Sequence, residues 1–261
     1  MQIREVTDAS DPVLDDFRDL TDADVRPDRR GIVIAEGSNV VERLARSSFR
    51  TRAVVGVAER IDALRPVLDP LDAPVLVVDK WLLSDVVGFR VTRGVLASAD
   101  RPTPPDVTTL LADARRVAVL ESLNDFENLG ALFRNAAAFG IDAVLLDPQC
   151  ADPLYRRSVR VSMGHVLQVP FAVLPGPWPA SLELLRSRGL RVLAMTPAIR
   201  AMPLRDVVVP PRWALLLGSE GPGLTEAAMA AADDLVRIPM HKDVDSLNVA
   251  TAAAVAFAAL S

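Results

Sequence analysis

The second half of the chain alternates short apolar runs with segments of helix length, and this alternation restricts the possible folds more than any other feature. Buried strands that alternate with helices are typical of a mostly parallel sheet with helices on both faces. The pattern predicts strands near Val117–Glu121, Ala143–Leu146, Val192–Thr196, Trp213–Gly218 and Leu235–Ile238. It predicts helices near Leu129–Phe139, Pro153–Met163, Pro179–Arg188, Thr225–Ala231 and Leu247–Leu260. We therefore expect an α/β domain in this half.

A smaller α/β domain is predicted in the first half. Apolar strand patterns over residues 31–35, 53–57 and 74–78 alternate with helical segments, and a last strand is predicted over 94–97. The proline-rich segment Arg101–Asp106 follows, and this composition is typical of an extended, stiff linker. The predicted domains are therefore residues 1–105, including the linker, and residues 106–261.

The composition excludes several classes of protein. Half of the 261 residues are hydrophobic, which is typical of a globular chain, and no apolar run is long enough to span a membrane. The N-terminus has no apolar leader, and the single Cys150 suits a reducing compartment. Two histidines and one cysteine argue against a zinc cluster. We therefore expect a cytoplasmic protein without a membrane segment or a metal.

The net charge bears on nucleic-acid binding. A formal charge of −5 argues against a generally basic nucleic-acid binder. Local patches of arginine can still contact phosphates, because such contacts depend on the charges at the interface. RNA therefore remains an acceptable partner.

The C-terminal segment Ile238–Ala253 combines a strand end, a polar loop and a helix start. Pro239 ends the strand, since proline cannot donate to a ladder. Ser246 occupies the position expected of a helix N-cap. A helix N-terminus offers free backbone N–H groups and the positive end of the helix dipole. On this segment alone, a helix that only packs on the sheet is the simpler interpretation.

Two further segments change this interpretation. Asn128–Ala136 opens a helix just after a predicted strand, and Leu215–Leu224 is a buried strand that leads into a glycine-rich turn. With Ile238–Ala253, they resemble the three motifs of the SpoU family of RNA ribose methyltransferases, which belongs to the SPOUT superfamily of knotted methyltransferases. The resemblance covers residues 115–261 and implies a C-terminal SPOUT domain with a trefoil knot. Periodicity alone does not predict a knot, and knots are essentially absent from proteins in general.

The resemblance implies S-adenosylmethionine as the cofactor, with S-adenosylhomocysteine as the product. The expected cofactor-binding residues are Thr196, Gly218, Ser219, Gly223, Ile238, Met240 and Leu247. Gly221 and Gly223 would let the backbone approach a ligand closely. A phosphate-binding loop is an alternative, although this loop lacks a Walker lysine and the G-x-G-x-x-G spacing. A purely structural turn is another.

The resemblance also implies a catalytic set. Its members are Arg134, Asn128, Glu220, Ser246 and Asn248. Arginine stays protonated, so we expect Arg134 to bind the target phosphate and stabilise a developing alkoxide rather than act as a base. A surface salt bridge is the alternative for Arg134. The amides can fix loops or the ribose, Glu220 can orient Arg134 or face the sulfonium charge, and Ser246 can cap the helix and contact RNA. A loop-structuring role competes with each of these.

A basic helix is the expected RNA contact. The segment Tyr155–Arg160 places three guanidinium groups on one broad helix face, which suits phosphate. The candidate RNA-binding residues are Arg156, Arg157 and Arg160. A solvated face balanced by Asp152 is the alternative. Ser162–Gly164, followed by a strand predicted over Val166–Val169, also matches the family.

The first half resembles the ribosomal-protein-like substrate-binding domain found at the N-terminus of many SpoU enzymes. The matching segments are Ala35–Gly37 and Arg93–Ala97, although the first can simply be a turn. The resemblance implies an RNA-recruiting module. Its candidate phosphate contacts are Arg26, Arg29, Arg30, Arg43, Arg46, Arg50 and Arg52.

These expectations combine into S-adenosylmethionine-dependent 2′-O-ribose methylation of RNA, with ribosomal RNA as the expected substrate. The family also implies a homodimer, with the alanine-rich last helix at or near the interface. The alternatives are a tRNA ribose methyltransferase, a ribosomal RNA enzyme that gives antibiotic resistance, and a non-catalytic RNA-binding protein with the same fold. A Rossmann-type enzyme ranks last, because the glycine fingerprint is missing after the first strand.

Overall fold

The computed structural model describes residues 2–21, 31–241 and 244–261. The chain divides into two compact units: Met1–Thr103 with Pro153–Gln168, and Pro104–Asp152 with Val169–Ser261. The predicted division after residue 105 assigned Pro153–Gln168 to the second domain, whereas this segment groups with the first unit. The physical reason is a set of contacts within that unit, including the 2.7 Å ion pair between Arg156 and Glu36.

The elements are numbered along the chain. The strands are β1 (Gln2–Glu5), β2 (Ile32–Glu36), β3 (Thr51–Gly56), β4 (Pro74–Val77), β5 (Val95–Asp100), β6 (Arg116–Glu121), β7 (Ala143–Leu146), β8 (Phe171–Val173), β9 (Arg191–Met195), β10 (Met202–Pro203), β11 (Trp213–Gly218) and β12 (Asp234–Arg237). The helices are α1 (Ser38–Ala45), α2 (Ala58–Leu68), α3 (Lys80–Val87), α4 (Val107–Leu111), α5 (Phe126–Ala138), α6 (Arg156–Val161), α7 (Glu183–Ser187), α8 (Glu226–Ala230) and α9 (Val249–Leu260).

The first unit contains a mixed sheet whose order over the described residues is β1-β4-β3-β5-β2. Strand β4 pairs in parallel with β1 and β3, and β5 pairs antiparallel with β3 and β2. The four strands predicted in this half correspond to β2–β5. Strand β1 was missed because all four of its residues are exposed, so its sequence carries no apolar pattern.

The second unit contains a parallel sheet whose order over the described residues is β10-β12-β9-β11-β6-β7-β8. The structure confirms the five predicted strands as β6, β7, β9, β11 and β12. Two edge strands, β8 and β10, were missed because they have only three and two residues. Since parallel strands end at one edge of the sheet, the loops after β6, β9 and β11 meet there.

The strand predicted over Val166–Val169 is wrong. Residues His165–Leu167 form a 3-10 turn, in which the N–H of Leu167 donates to the carbonyl of Gly164 at 3.1 Å. Gly164 has a positive φ of 85°, so the chain turns here instead of extending. The extended segment begins only at Phe171, in β8.

The core of the second unit is formed by the apolar strands and the helices that cover them. Val119, Leu145 and Leu216 are fully buried in one cluster between neighbouring strands and helices. Helices α5 and α9 are joined by a 2.8 Å hydrogen bond from Asn135 Nδ2 to the carbonyl of Ala250. Over the described residues, none of the helices is both long and apolar enough to cross a membrane.

Candidate functional site

A cavity of about 570 Å³ lies in the second unit, where loops after β9, β11 and β12 meet the start of α9. This is the edge of a parallel sheet at which ligands usually bind. All seven residues expected to bind the cofactor line it: Thr196, Gly218, Ser219, Gly223, Ile238, Met240 and Leu247. The structure therefore brings together residues that are up to 51 positions apart in the sequence, from Thr196 to Leu247.

The glycine loop from Gly218 to Leu224 forms one wall of the cavity. A Cβ added to Gly218 would lie 2.3 Å from the carbonyl carbon of Gly223, so no side chain fits there. Gly221 and Gly223 have positive φ angles of 82° and 70°, and an added Cβ would meet nothing within 4 Å at either. Glycine is therefore required at 218 by close backbone packing, and at 221 and 223 by the left-handed conformation.

Apolar side chains that the sequence interpretation did not single out complete the wall. They are Met195, Pro197, Leu217, Leu224 and Met229. Each is close in sequence to a motif residue or to the glycine loop. Their positions near the ends of predicted strands were the sequence signal that could have identified them. An apolar wall with a few polar side chains suits a small-molecule ligand.

Asn248 is the N-cap of α9, and the prediction that Ser246 fills this role is wrong. The Oδ1 atom of Asn248 accepts from the N–H groups of Ala250 at 3.0 Å and Thr251 at 3.2 Å. This satisfies two backbone donors that have no partner within the helix. Ser246 is exposed, lies two residues before the cap, and donates to Asp245 at 3.3 Å.

The amide nitrogen of Asn248 connects the three sequence motifs. Its Nδ2 atom donates to Oδ1 of Asn128 at 2.7 Å and to Oε1 of Glu220 at 2.6 Å. Asn128 is buried on α5, whereas Glu220 is exposed in the glycine loop. Both amide hydrogens of Asn248 are therefore used, and three of the five expected catalytic residues form one polar cluster.

Arg134 lies on the same helix as Asn128 and is exposed. Within the part of the chain that the structure describes, its side chain forms no hydrogen bond or ion pair. Glu220 contacts Asn248 instead of orienting Arg134. Glu220, Ser246 and Asn248 line the cavity, whereas Asn128 and Arg134 do not. The guanidinium of Arg134 is therefore available to a ligand outside the cavity.

The three arginines of α6 differ from one another. Arg156 is mostly buried, pairs with Glu36 at 2.7 Å, and lies 4.6 Å from the centre of the Phe89 ring. Arg160 is 3.9 Å from the same carboxylate and more accessible, and Arg157 is exposed. The buried ion pair gives Arg156 a structural role within the first unit.

The four other candidate phosphate contacts that the structure describes, Arg43, Arg46, Arg50 and Arg52, are engaged by neighbours. Arg43 donates to the carbonyl of Met163 at 2.6 Å, and Arg46 pairs with Glu42 at 2.8 Å. Arg50 and Arg52 both contact Asp100. The hydrogen bonds that Arg52 donates to the carboxylates of Asp16 and Asp100 raise the pKa of its guanidinium. Arg26, Arg29 and Arg30 lie outside the described residues.

The described residues also bear on a metal centre and on a cysteine nucleophile. Within residues 2–21, 31–241 and 244–261, no group of three or more His, Cys, Asp or Glu side chains could bind a metal ion. Burial raises the pKa of the Cys150 thiol to about 12, so this cysteine is not a thiolate nucleophile at neutral pH.

More than half of the sequence matches a known family. Residues 115–258 match the model of the SpoU rRNA Methylase family. An uncharacterized tRNA/rRNA methyltransferase of Mycobacterium tuberculosis is 49% identical over 263 residues, which cover 98% of this chain and 91% of that protein. The 23S rRNA (guanosine(2553)-2′-O)-methyltransferase of Bacillus subtilis is 32% identical over 145 residues, or 56% of this chain and 57% of that protein.

Solved structures are similar in fold. An rRNA methyltransferase from Sinorhizobium meliloti, with AdoMet bound, has a TM-score of 0.83 and 24% identity, and the match covers 100% of this chain and 98% of that one. The SpoU methyltransferase AviRb from Streptomyces viridochromogenes, in complex with AdoMet, has a TM-score of 0.80 and 21% identity over 96% and 97% of the two chains. These similarities show a shared α/β fold with a parallel sheet.

Proposed function

The chain belongs to the SpoU rRNA methylase family of RNA methyltransferases, and from this premise we propose that it methylates a ribose 2′-hydroxyl of RNA with S-adenosylmethionine. The observation that carries the proposal is the Asn248 amide, bonded to both Asn128 and Glu220 beside the cavity. It joins the three family motifs in one polar cluster. The name of the Bacillus subtilis relative supports the 2′-O position.

The residues of the cavity fit S-adenosylmethionine. The volume of about 570 Å³ lies within the usual range for small-molecule and cofactor sites. Backbone groups of Gly218, Ile238 and Leu247 offer donors and acceptors, while Met195 and Leu217 offer apolar contact. The two AdoMet-bound structures with this fold support the assignment. When bound, the cofactor supplies an electrophilic methyl group.

The chemistry requires a ribose oxygen to be aligned with that methyl group. The O2′–C bond forms as the S–C bond breaks, and the hydroxyl proton passes to water or a phosphate oxygen. Fixing both reactants supplies much of the rate, because it replaces a bimolecular encounter. Arg134 binds the RNA phosphate next to the target ribose and stabilises charge on the oxygen. Asn128 and Asn248 fix the loops that face the target ribose.

We also propose ribosomal RNA as the substrate, recruited by the first unit as a ribosomal-protein-like domain. On α6, Arg157 and Arg160 are better placed for phosphate contacts than Arg156, whose guanidinium is used by Glu36. The proposal includes a cytoplasmic location, which the single cysteine supports.

A trefoil knot and a homodimer belong to the same proposal. The strand order supports the knot, because β12 lies between β9 and β10 in the sheet, although β9 and β10 are consecutive in the sequence and β12 comes only after β11. The last helix supports the dimer. One face of α9 packs on α5, while Thr251, Val255 and Ala258 on the other face are exposed. Small and apolar residues on an exposed helix face suit contact with a second copy of the chain.

The test combines cofactor binding with methyl transfer. We expect micromolar binding of S-adenosylmethionine by calorimetry, and transfer of its labelled methyl group to ribosomal RNA but not to bulk tRNA. Arg134→Ala should abolish transfer and leave cofactor affinity unchanged, whereas Arg188→Ala, at another exposed arginine of the same unit, should change neither. Full turnover by Arg134→Ala would exclude the assigned role. Methylation of tRNA instead would assign tRNA as the substrate. RNA binding by a protein that does not bind S-adenosylmethionine would indicate a non-catalytic RNA-binding protein.

A further inference from the structure

A buried carboxylate that has no role in the proposed chemistry lies beside the glycine loop. Glu121 is the last residue of β6, and only 2% of it is exposed. Within the described residues it pairs with no basic side chain. Three neutral donors surround it instead: Trp178 Nε1 at 2.6 Å, Thr225 Oγ1 at 2.7 Å and Thr225 N at 2.8 Å. Since a buried charge is costly without such partners, the three donors fix this side chain.

The position of Glu121 relates it to both ends of the glycine loop. In the pairing of β6 with β11, Glu121 lies opposite Gly218, where the loop begins. Its carboxylate binds the N–H and hydroxyl of Thr225, where the loop ends. Thr225 is also the N-cap of α8, since its Oγ1 accepts from the N–H of Ala228 at 3.1 Å. One residue therefore fixes the distance across which the loop must close.

The loop between these two points forms much of the cavity wall. Residues 218–224 all line the cavity, and Glu220 within the loop accepts the hydrogen bond from Asn248. Trp178 adds a third segment, the connection between β8 and α7, to the same carboxylate. A change in the Glu121 contacts would therefore alter the cavity and the position of Glu220 together.

We propose that Glu121 is a positioning residue, whose carboxylate closes the loop 218–225 in the conformation that binds the cofactor and places Glu220 against Asn248. This inference rests on the proposed function for its ligand, S-adenosylmethionine or its product. The requirement is for a carboxylate of this length. Glutamine replaces one acceptor oxygen by a donor, which opposes a donor at Thr225 or Trp178. Aspartate is one methylene shorter and cannot reach both loop ends from the same backbone position.

The experiment compares wild type with Glu121→Gln, Glu121→Asp and the control Glu183→Gln, which changes an exposed carboxylate of the same unit. Calorimetry with S-adenosylhomocysteine should show at least tenfold weaker binding for both Glu121 variants and an unchanged value for the control. Hydrogen exchange without cofactor should become faster in peptides covering 218–226 and remain unchanged in β7 and β9. Trp178→Phe should have the same effect in smaller degree.

The two measurements separate the possible failures. Wild-type affinity and wild-type exchange in Glu121→Gln would overturn the inference. Faster exchange throughout the second unit would also overturn it, because Glu121 would then contribute only to general stability. If the wild-type protein does not bind the cofactor, the proposed function fails, and the exchange of 218–226 still decides whether Glu121 fixes the loop.

Discussion

Asn248 donates to Glu220 through a 2.6 Å hydrogen bond, which links the start of α9 to the glycine loop. The same side chain caps α9 through its oxygen and bonds Asn128 through its second amide hydrogen. Stability of the helix and order in the candidate catalytic site thus depend on different atoms of one residue. Substitutions can remove one function and keep the other.

The first prediction separates capping from the amide contacts. Asn248→Ser keeps a good N-cap but removes the amide that donates to Glu220 and to the buried Asn128. Stability should fall by about 1–3 kcal/mol, because the Asn128 oxygen loses its partner, and methyl transfer should be lost. Asn248→Ala removes the cap as well, and should cost about 1 kcal/mol more. Thermal unfolding and single-turnover methylation measure the two effects. Full activity in Asn248→Ser would show that the amide contacts are not needed.

The second prediction concerns Gly218. In Gly218→Ala the new Cβ would collide with the backbone of Gly223 and Leu224, so the loop must shift and cofactor binding should be lost. Gly189→Ala is the matched control, because Gly189 has a φ of 75° but open space around it and lies outside the cavity wall. That variant should lose only about 1–2 kcal/mol from backbone strain, and no cofactor affinity. Calorimetry and thermal unfolding distinguish the two. Equal cofactor affinity in both variants would contradict the steric argument.

Much of the second unit could be predicted because its strands are apolar runs with clear ends. The β11 strand was placed correctly, since Trp213–Gly218 is continuous, buried and followed by glycines. The short edge strand β10 was missed, because two residues carry no periodicity and its pairing with β12 depends on the tertiary fold. The residues expected to bind the cofactor could be selected only through the family resemblance, which linked distant segments that local patterns cannot join.

The side-chain roles were less predictable than the positions. Ser246 was expected to be the cap because serine is a strong capping residue, but the helix starts two residues later, where Asn248 accepts from the N–H groups of Ala250 and Thr251. Arg156 was grouped with Arg157 by helical spacing, although its partner Glu36 is 120 residues away. Glu121 looked like an ordinary strand end. Its donors come from Trp178 and Thr225, at positions that no local pattern relates to it.

The third prediction contrasts two arginines of α6. Arg156→Ala leaves the buried Glu36 carboxylate without its closest basic partner, so it should destabilise the protein by about 3–5 kcal/mol. Arg157→Ala changes an exposed residue and should alter stability by less than about 0.5 kcal/mol, while weakening RNA binding. Chemical denaturation and an RNA-binding titration at two salt concentrations measure these effects. Equal stability loss in the two variants would contradict the distinction.

The fourth prediction concerns Cys150 and alkaline pH. Burial raises the pKa of its thiol to about 12, whereas an exposed cysteine titrates near 9. Above pH 9 the unfolded chain therefore loses a proton that the folded chain keeps, and stability should fall as pH rises from about 9 to about 12. Below pH 9 both states are protonated and the contribution is constant.

Cys150→Ser retains a group that can bond the N–H of Leu123 but does not titrate in this range, so its stability should fall less steeply. Denaturation of both proteins between pH 8 and pH 11 measures the difference, which isolates Cys150 from the tyrosine, lysine and arginine groups common to both. Parallel pH profiles would show that the thiol is accessible, and rapid alkylation of the folded protein at pH 8 would lead to the same conclusion.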